Sequence, residues 1–82
     1  MRIVESWTTK EFKTTIYSMD LWFTVEFEAG PMKQAYKFMK ATYPTVGAVK
    51  DALRPEFLAE VYASFEKMFL AFKAHAAPRE QA

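Results

Sequence analysis

Cysteine is absent from the 82-residue chain, which excludes disulfides, thiolate nucleophiles and cysteine-ligated zinc or iron–sulfur centres. Glycine is scarce. Gly30 and Gly47 are the two present, so neither a phosphate-cradling loop nor a dinucleotide-binding fingerprint can be drawn. His75 is the single histidine, and a metal site usually takes three or four protein ligands, so no metal centre is expected. Ser6, Ser18 and Ser64 lack a nucleophile-elbow context. Asp20 and Asp51 stand apart, and local spacing sets up no carboxylate pair for acid–base work. The expectation is a protein that is not an enzyme and uses no cofactor.

Long apolar runs are missing as well. Nowhere do about 18 uninterrupted apolar residues occur to span a bilayer, and MRIVESWTTK contains no run of signal-peptide length. These features predict a soluble, cytoplasmic protein without a membrane partner. Eleven Lys and Arg against ten Asp and Glu leave a net charge of +1, too little for a global pull toward nucleic acid or anionic lipid.

What the chain does have is apolar and aromatic bulk: 51% of its residues are hydrophobic and 17% aromatic. A chain this short buries only about two-thirds of its unfolded surface, so that bulk exceeds what one thin core absorbs. Oligomerisation, most simply a homodimer, is the expected outlet.

Alternation organises the first half. In LWFTVEFE, Leu21, Phe23, Val25 and Phe27 share one face, while Trp22, Thr24, Glu26 and Glu28 share the other. The flanking segments KEFKTTIYSM and MKQAYKFM alternate likewise, and RIVESW is rich in strand formers. Strands are therefore expected at about 2–7, 11–18, 21–28 and 32–39. A turn at Met19 and Asp20 would pair Ile16 with Phe23, and a turn at Ala29 and Gly30 would pair Phe23 with Tyr36, Glu26 with Lys33 and Trp22 with Lys37. An odd loop through Thr8, Thr9 and Lys10 would set Val4 inside and Glu5 beside Lys13, extending an outer ladder of Glu5, Lys13, Glu26 and Lys33.

The period changes after Phe38. Thr45 is a candidate N-cap for a short helix at about 46–53, and Pro55 suits the first turn of a long helix at 55–75. Leu58, Val61, Phe65, Met68 and Phe72 recur there at spacings of three and four. Residues 1–75 are thus expected to form one α+β domain, a four-stranded antiparallel meander with a short helix and a long C-terminal helix on one sheet face. Residues 76–82 are expected to form a flexible tail. The predicted core comprises Val4, Phe12, Ile16, Leu21, Phe23, Val25, Phe27, Tyr36, Phe38, Val49, Leu53, Leu58, Val61, Phe65, Met68 and Phe72.

Two surfaces stand out. The outer sheet face is expected to carry Trp7, Tyr17, Trp22 and Met39 beside Lys13, Lys33 and Lys37, with Trp7, Tyr17, Trp22, Lys37 and Met39 as the candidate partner-binding residues. Exposed aromatics of this kind serve protein interfaces most often. The long helix is apolar over more than one face, which makes Tyr62, Phe69 and Leu70 candidates for self-association. The reading is a non-enzymatic protein-interaction or self-association module. Stacking rings beside lysines are also used by single-stranded nucleic-acid binders, the alternative function. The order of four strands then a helix is similar to that of Whirly-type and PUR-type single-strand-binding modules, a likeness of topology that carries no shared motif.

Overall fold

The structure, a computed structural model, describes residues 2–75. The tail expected at 76–82 lies outside the described residues. Four antiparallel strands, β1 (Arg2–Thr8), β2 (Lys13–Ser18), β3 (Trp22–Ala29) and β4 (Met32–Met39), form one sheet in the order β1-β2-β3-β4. Two helices follow, α1 (Val46–Ala52) and α2 (Pro55–His75), and both pack on the same sheet face. The fold is α+β. No helix among the described residues is long and apolar enough to cross a membrane.

Both faces of the sheet follow the alternation, but two hairpins are shifted in register by two residues from expectation. Ile16 pairs with Val25, not Phe23, because the tight turn is centred on Asp20 and Leu21, closed by the Met19 N–H donating to the Trp22 carbonyl at 2.9 Å. Val25 likewise pairs with Tyr36, and Ala29 with Met32, which leaves Gly30 and Pro31 as the turn. Gly30 has φ +58°, and proline holds φ near −65° at the next position. Among the tight hairpin turns only type II′ combines a positive first φ with a negative second one.

The first hairpin departs further. Its loop is Lys10 and Glu11, closed by the Thr9 N–H donating to the Phe12 carbonyl at 2.9 Å, and Thr8 pairs with Lys13. This register sets Trp7 opposite Thr14 on the inner face and Glu5 opposite Ile16. A bulge then intervenes: Ile3 pairs with Tyr17, so Val4 is the extra residue, half-buried against the core. Glu5 reaches the sheet edge, where Lys50 of α1 lies 2.6 Å from its carboxylate. The expected ladder beginning at Glu5 is replaced by Thr8, Lys13, Glu28 and Lys33.

The core is an aromatic cluster roofed by the helices. Phe27 is fully buried, edge-on to Phe12 at 5.3 Å, Tyr36 at 5.9 Å and Phe57 at 6.1 Å between ring centroids, and Phe12 meets Phe65 at 5.8 Å. Edge-to-face packing is the favoured arrangement of aromatic quadrupoles. The amide of Gln34 spans the sheet–helix gap, donating to the Val61 carbonyl at 3.0 Å while its own carbonyl oxygen accepts from the Tyr36 hydroxyl. Thr45 caps α1 as expected, its hydroxyl accepting from the Ala48 N–H at 3.1 Å.

Two residues of the predicted core are not in it. Leu21 is 66% exposed because it sits in a turn rather than in the strand. Phe72 is 40% exposed although it continues the stripe of Phe65 and Met68. The cause is length: strands of six to eight residues span roughly 20–27 Å, whereas the 21 residues of α2 span roughly 31 Å. From Phe69 to His75 every residue is exposed.

Candidate functional site

On the outer sheet face the register brings Tyr17, Thr24 and Lys37 into one row and Trp22 and Met39 into the next. Four of the five candidate partner-binding residues are therefore neighbours. Lys37 extends over the Trp22 ring, its Nζ 4.5 Å from the centroid, and the Trp22 Nε1–H points to the Met19 sulfur at 3.1 Å. The cation–π contact and the sulfur contact hold the indole in one orientation. Beneath these side chains Thr15 and Thr24 are buried even though, among the described residues, both helices pack on the other face. Ser6 and Thr15 bring their hydroxyls within 3.3 Å, and the Thr24 hydroxyl lies 3.5 Å from the Met19 sulfur.

The charges of this face are mixed. Lys33 lies 3.6 Å from the Glu26 carboxylate, a diagonal contact rather than the direct pairing expected, and Lys13 sits opposite Glu28. Trp22 and Lys37 also meet on a diagonal. The two-residue register shift turns cross-strand partners into diagonal ones, which remain within reach of long side chains.

Trp7 corrects the expected face. It lies on the inner side, packed against the core, with Lys50 Nζ 5.7 Å from its ring centroid. There it lines a cleft of about 290 Å³ between the first hairpin and α2, with Phe12, Thr14, Leu58 and Tyr62 around it and Glu11 at the rim. Sequence reasoning missed this cleft because the expected three-residue loop reverses the orientation of β1. Tyr62 lines this cleft and stands about two helical turns before Phe69 on the same side of α2. Lys40 was also not anticipated: its ammonium donates to the Met19 carbonyl at 2.6 Å and the Ser18 hydroxyl at 3.1 Å, tying the β2–β3 turn to the end of β4.

The overhanging part of α2 is the second candidate. Phe69 is 47% and Leu70 65% exposed, with Phe72 three residues on from Phe69 along the same arm. A shallow cleft of about 180 Å³ joins Phe69 and Glu66 to Met32 and Ala29, where α2 leaves the sheet beside the Gly30–Pro31 turn. His75 is exposed in the last described turn. Among the described residues no cluster of three His, Asp or Glu side chains is placed to hold a metal ion.

No family model, curated protein or solved structure matches the chain.

Proposed function

We propose that the chain is a non-enzymatic module that associates with itself through the projecting half of α2 and presents the outer sheet face to a protein partner. The observation that carries this reading is the arm itself. Phe69, Leu70 and Phe72 are large, apolar and exposed on a helix segment that extends past its own sheet. Contiguous exposed apolar surface of this kind marks interaction sites. The outer face supports the second half of the proposal, since Tyr17, Trp22 and Met39 form an aromatic and thioether surface of the composition enriched in interface centres.

Light scattering over a concentration series tests it, with Trp22→Ala and Phe69→Ala measured beside the parent. A dimer weakened by Phe69→Ala and unaffected by Trp22→Ala is the expected result. Monomers at every concentration would overturn self-association.

A second reading has its own observation, the stacked Trp22–Lys37 pair at one end of the face with Lys13 and Lys33 at its other end. Single-stranded nucleic acid would bind there by base stacking and phosphate contact. Its affinity would fall steeply with salt, whereas an aromatic protein interface responds weakly.

A further inference from the structure

Within the arm of α2, Glu66, Phe69, Leu70 and Lys73 stand at positions i, i+3, i+4 and i+7, and all four are exposed. On a helix this spacing outlines a diamond on one face, the shape of a hole that receives side chains from a facing helix. The face lies beside the core stripe of Leu58, Val61, Phe65 and Met68, and among the described residues all four of its members remain exposed. Its apolar centre is Phe69 and Leu70. Its ends carry opposite charges, Glu66 toward the sheet and Lys73 toward the helix C-terminus. Among the described residues neither makes an ion pair. Seven residues put them roughly 10 Å apart along the axis, too far to pair with each other.

We propose that this diamond is the self-association surface and that its occupant is the same diamond of a second copy, with the two α2 helices antiparallel. This inference rests on the self-association reading and adds the partner, the orientation and the register. A twofold axis passing midway between Phe69 and Leu70 sets Phe69 beside the second copy's Phe69 and Leu70 beside its Leu70. The same operation brings Glu66 of each copy opposite Lys73 of the other, so both charges are matched twice. A parallel pair would oppose Glu66 to Glu66 and Lys73 to Lys73. The antiparallel pair also carries the two sheets to opposite ends, clear of one another, and aligns the helix dipoles favourably.

The contact is small. A half-exposed phenyl ring offers on the order of 100 Å², so the paired diamonds stay below the ~1,200 Å² at which standard stable interfaces begin. The dimer is therefore of the weak, rapidly exchanging class, and its strength depends on salt through the two charge pairs.

Charge reversal tests the register. Glu66→Lys and Lys73→Glu should each move the monomer–dimer midpoint several-fold higher in concentration by light scattering, and the double variant Glu66→Lys/Lys73→Glu should bring it back. A double variant no better than the singles, in a parent that does dimerise, overturns the antiparallel register and leaves self-association standing. A parent monomeric at all concentrations removes both. The absence of cysteine allows an independent test of orientation. Leu70→Cys, beside the twofold axis, should oxidise to a covalent dimer, and Ala59→Cys, far from it, should not. Ready crosslinking through Ala59→Cys would mean parallel helices and would overturn the proposal. All these positions are exposed, and unchanged circular dichroism confirms that the variants remain folded.

Discussion

Replacing Phe27 by Ala should come close to unfolding the protein, whereas the same change at Phe72 should leave it nearly intact. Phe27 has no exposed surface and touches three other rings, those of Phe12, Tyr36 and Phe57. Removing a buried phenyl ring costs about 3–5 kcal/mol, from lost transfer energy and from the cavity left between neighbours that cannot all collapse inward. A chain of this length has roughly 4–12 kcal/mol of total stability. The loss is thus about a quarter of the total at the least. In urea, with a slope of ~1 kcal/mol per molar for a small domain, the midpoint should fall by about 3–5 M, or no folded baseline should be seen. Phe72 continues the same helical stripe but lies past the sheet, so Phe72→Ala should shift stability by at most about 1 kcal/mol. Far-ultraviolet circular dichroism against urea, at a protein concentration low enough to keep the chain monomeric, measures both. A near-parental midpoint for Phe27→Ala would refute the aromatic core. A large loss for Phe72→Ala would refute the projecting arm.

The remaining predictions address single contacts. Gly30→Ala should cost roughly 1 kcal/mol although nothing lies within 4 Å of the added methyl, because the strain is in the φ of +58° and not in space; a neutral change in chemical denaturation would contradict the positive-φ turn. Gln34→Ala removes the donor to the Val61 carbonyl and the acceptor for the Tyr36 hydroxyl, and should cost about 1–3 kcal/mol, with Tyr36→Phe costing less. A double-mutant cycle on Trp22 and Lys37 should return a coupling of about 0.5–1 kcal/mol that persists in salt better than the Lys33–Glu26 pair does.

The face of almost every strand residue was legible in the alternation, but its cross-strand partner was not. Period-two patterning distinguishes odd shifts from even ones, since an odd slip turns the core side outward, and it is blind to a slip of two. Turn chemistry decides what the pattern leaves open. At Gly30 and Pro31 the glycine must come first and the proline second in a type II′ turn, a signal present in the sequence that fixes the third hairpin by itself. Lys10 and Glu11 carry no such signal, and the bulge at Val4 has none either. For that reason the pattern alone points Trp7 to the outer face, away from the cleft it lines. Glu5 illustrates the same limit from the other side. A carboxylate opposite a core position looks untenable in a strand pattern, yet a lysine 45 residues later in sequence lies 2.6 Å away at the sheet edge.

Helix periodicity has the corresponding blind spot along its axis. Leu58, Val61, Phe65, Met68 and Phe72 are equivalent in spacing, so a helical wheel assigns all five to the core. Whether each is covered depends on how far the opposing layer extends, and that is set by strands of six to eight residues and the two turns that end them. The sheet runs out between Met68 and Phe72. Beyond that line apolar residues on any side of the helix have the same environment, which is why Phe69 and Leu70, off the core stripe, and Phe72, on it, are all exposed. Part of the apolar excess over core volume, apparent from composition, is therefore gathered on one projecting helical segment. On the proposed self-association, shortening the arm at its C-terminus should weaken any association while leaving the buried cluster around Phe27 untouched.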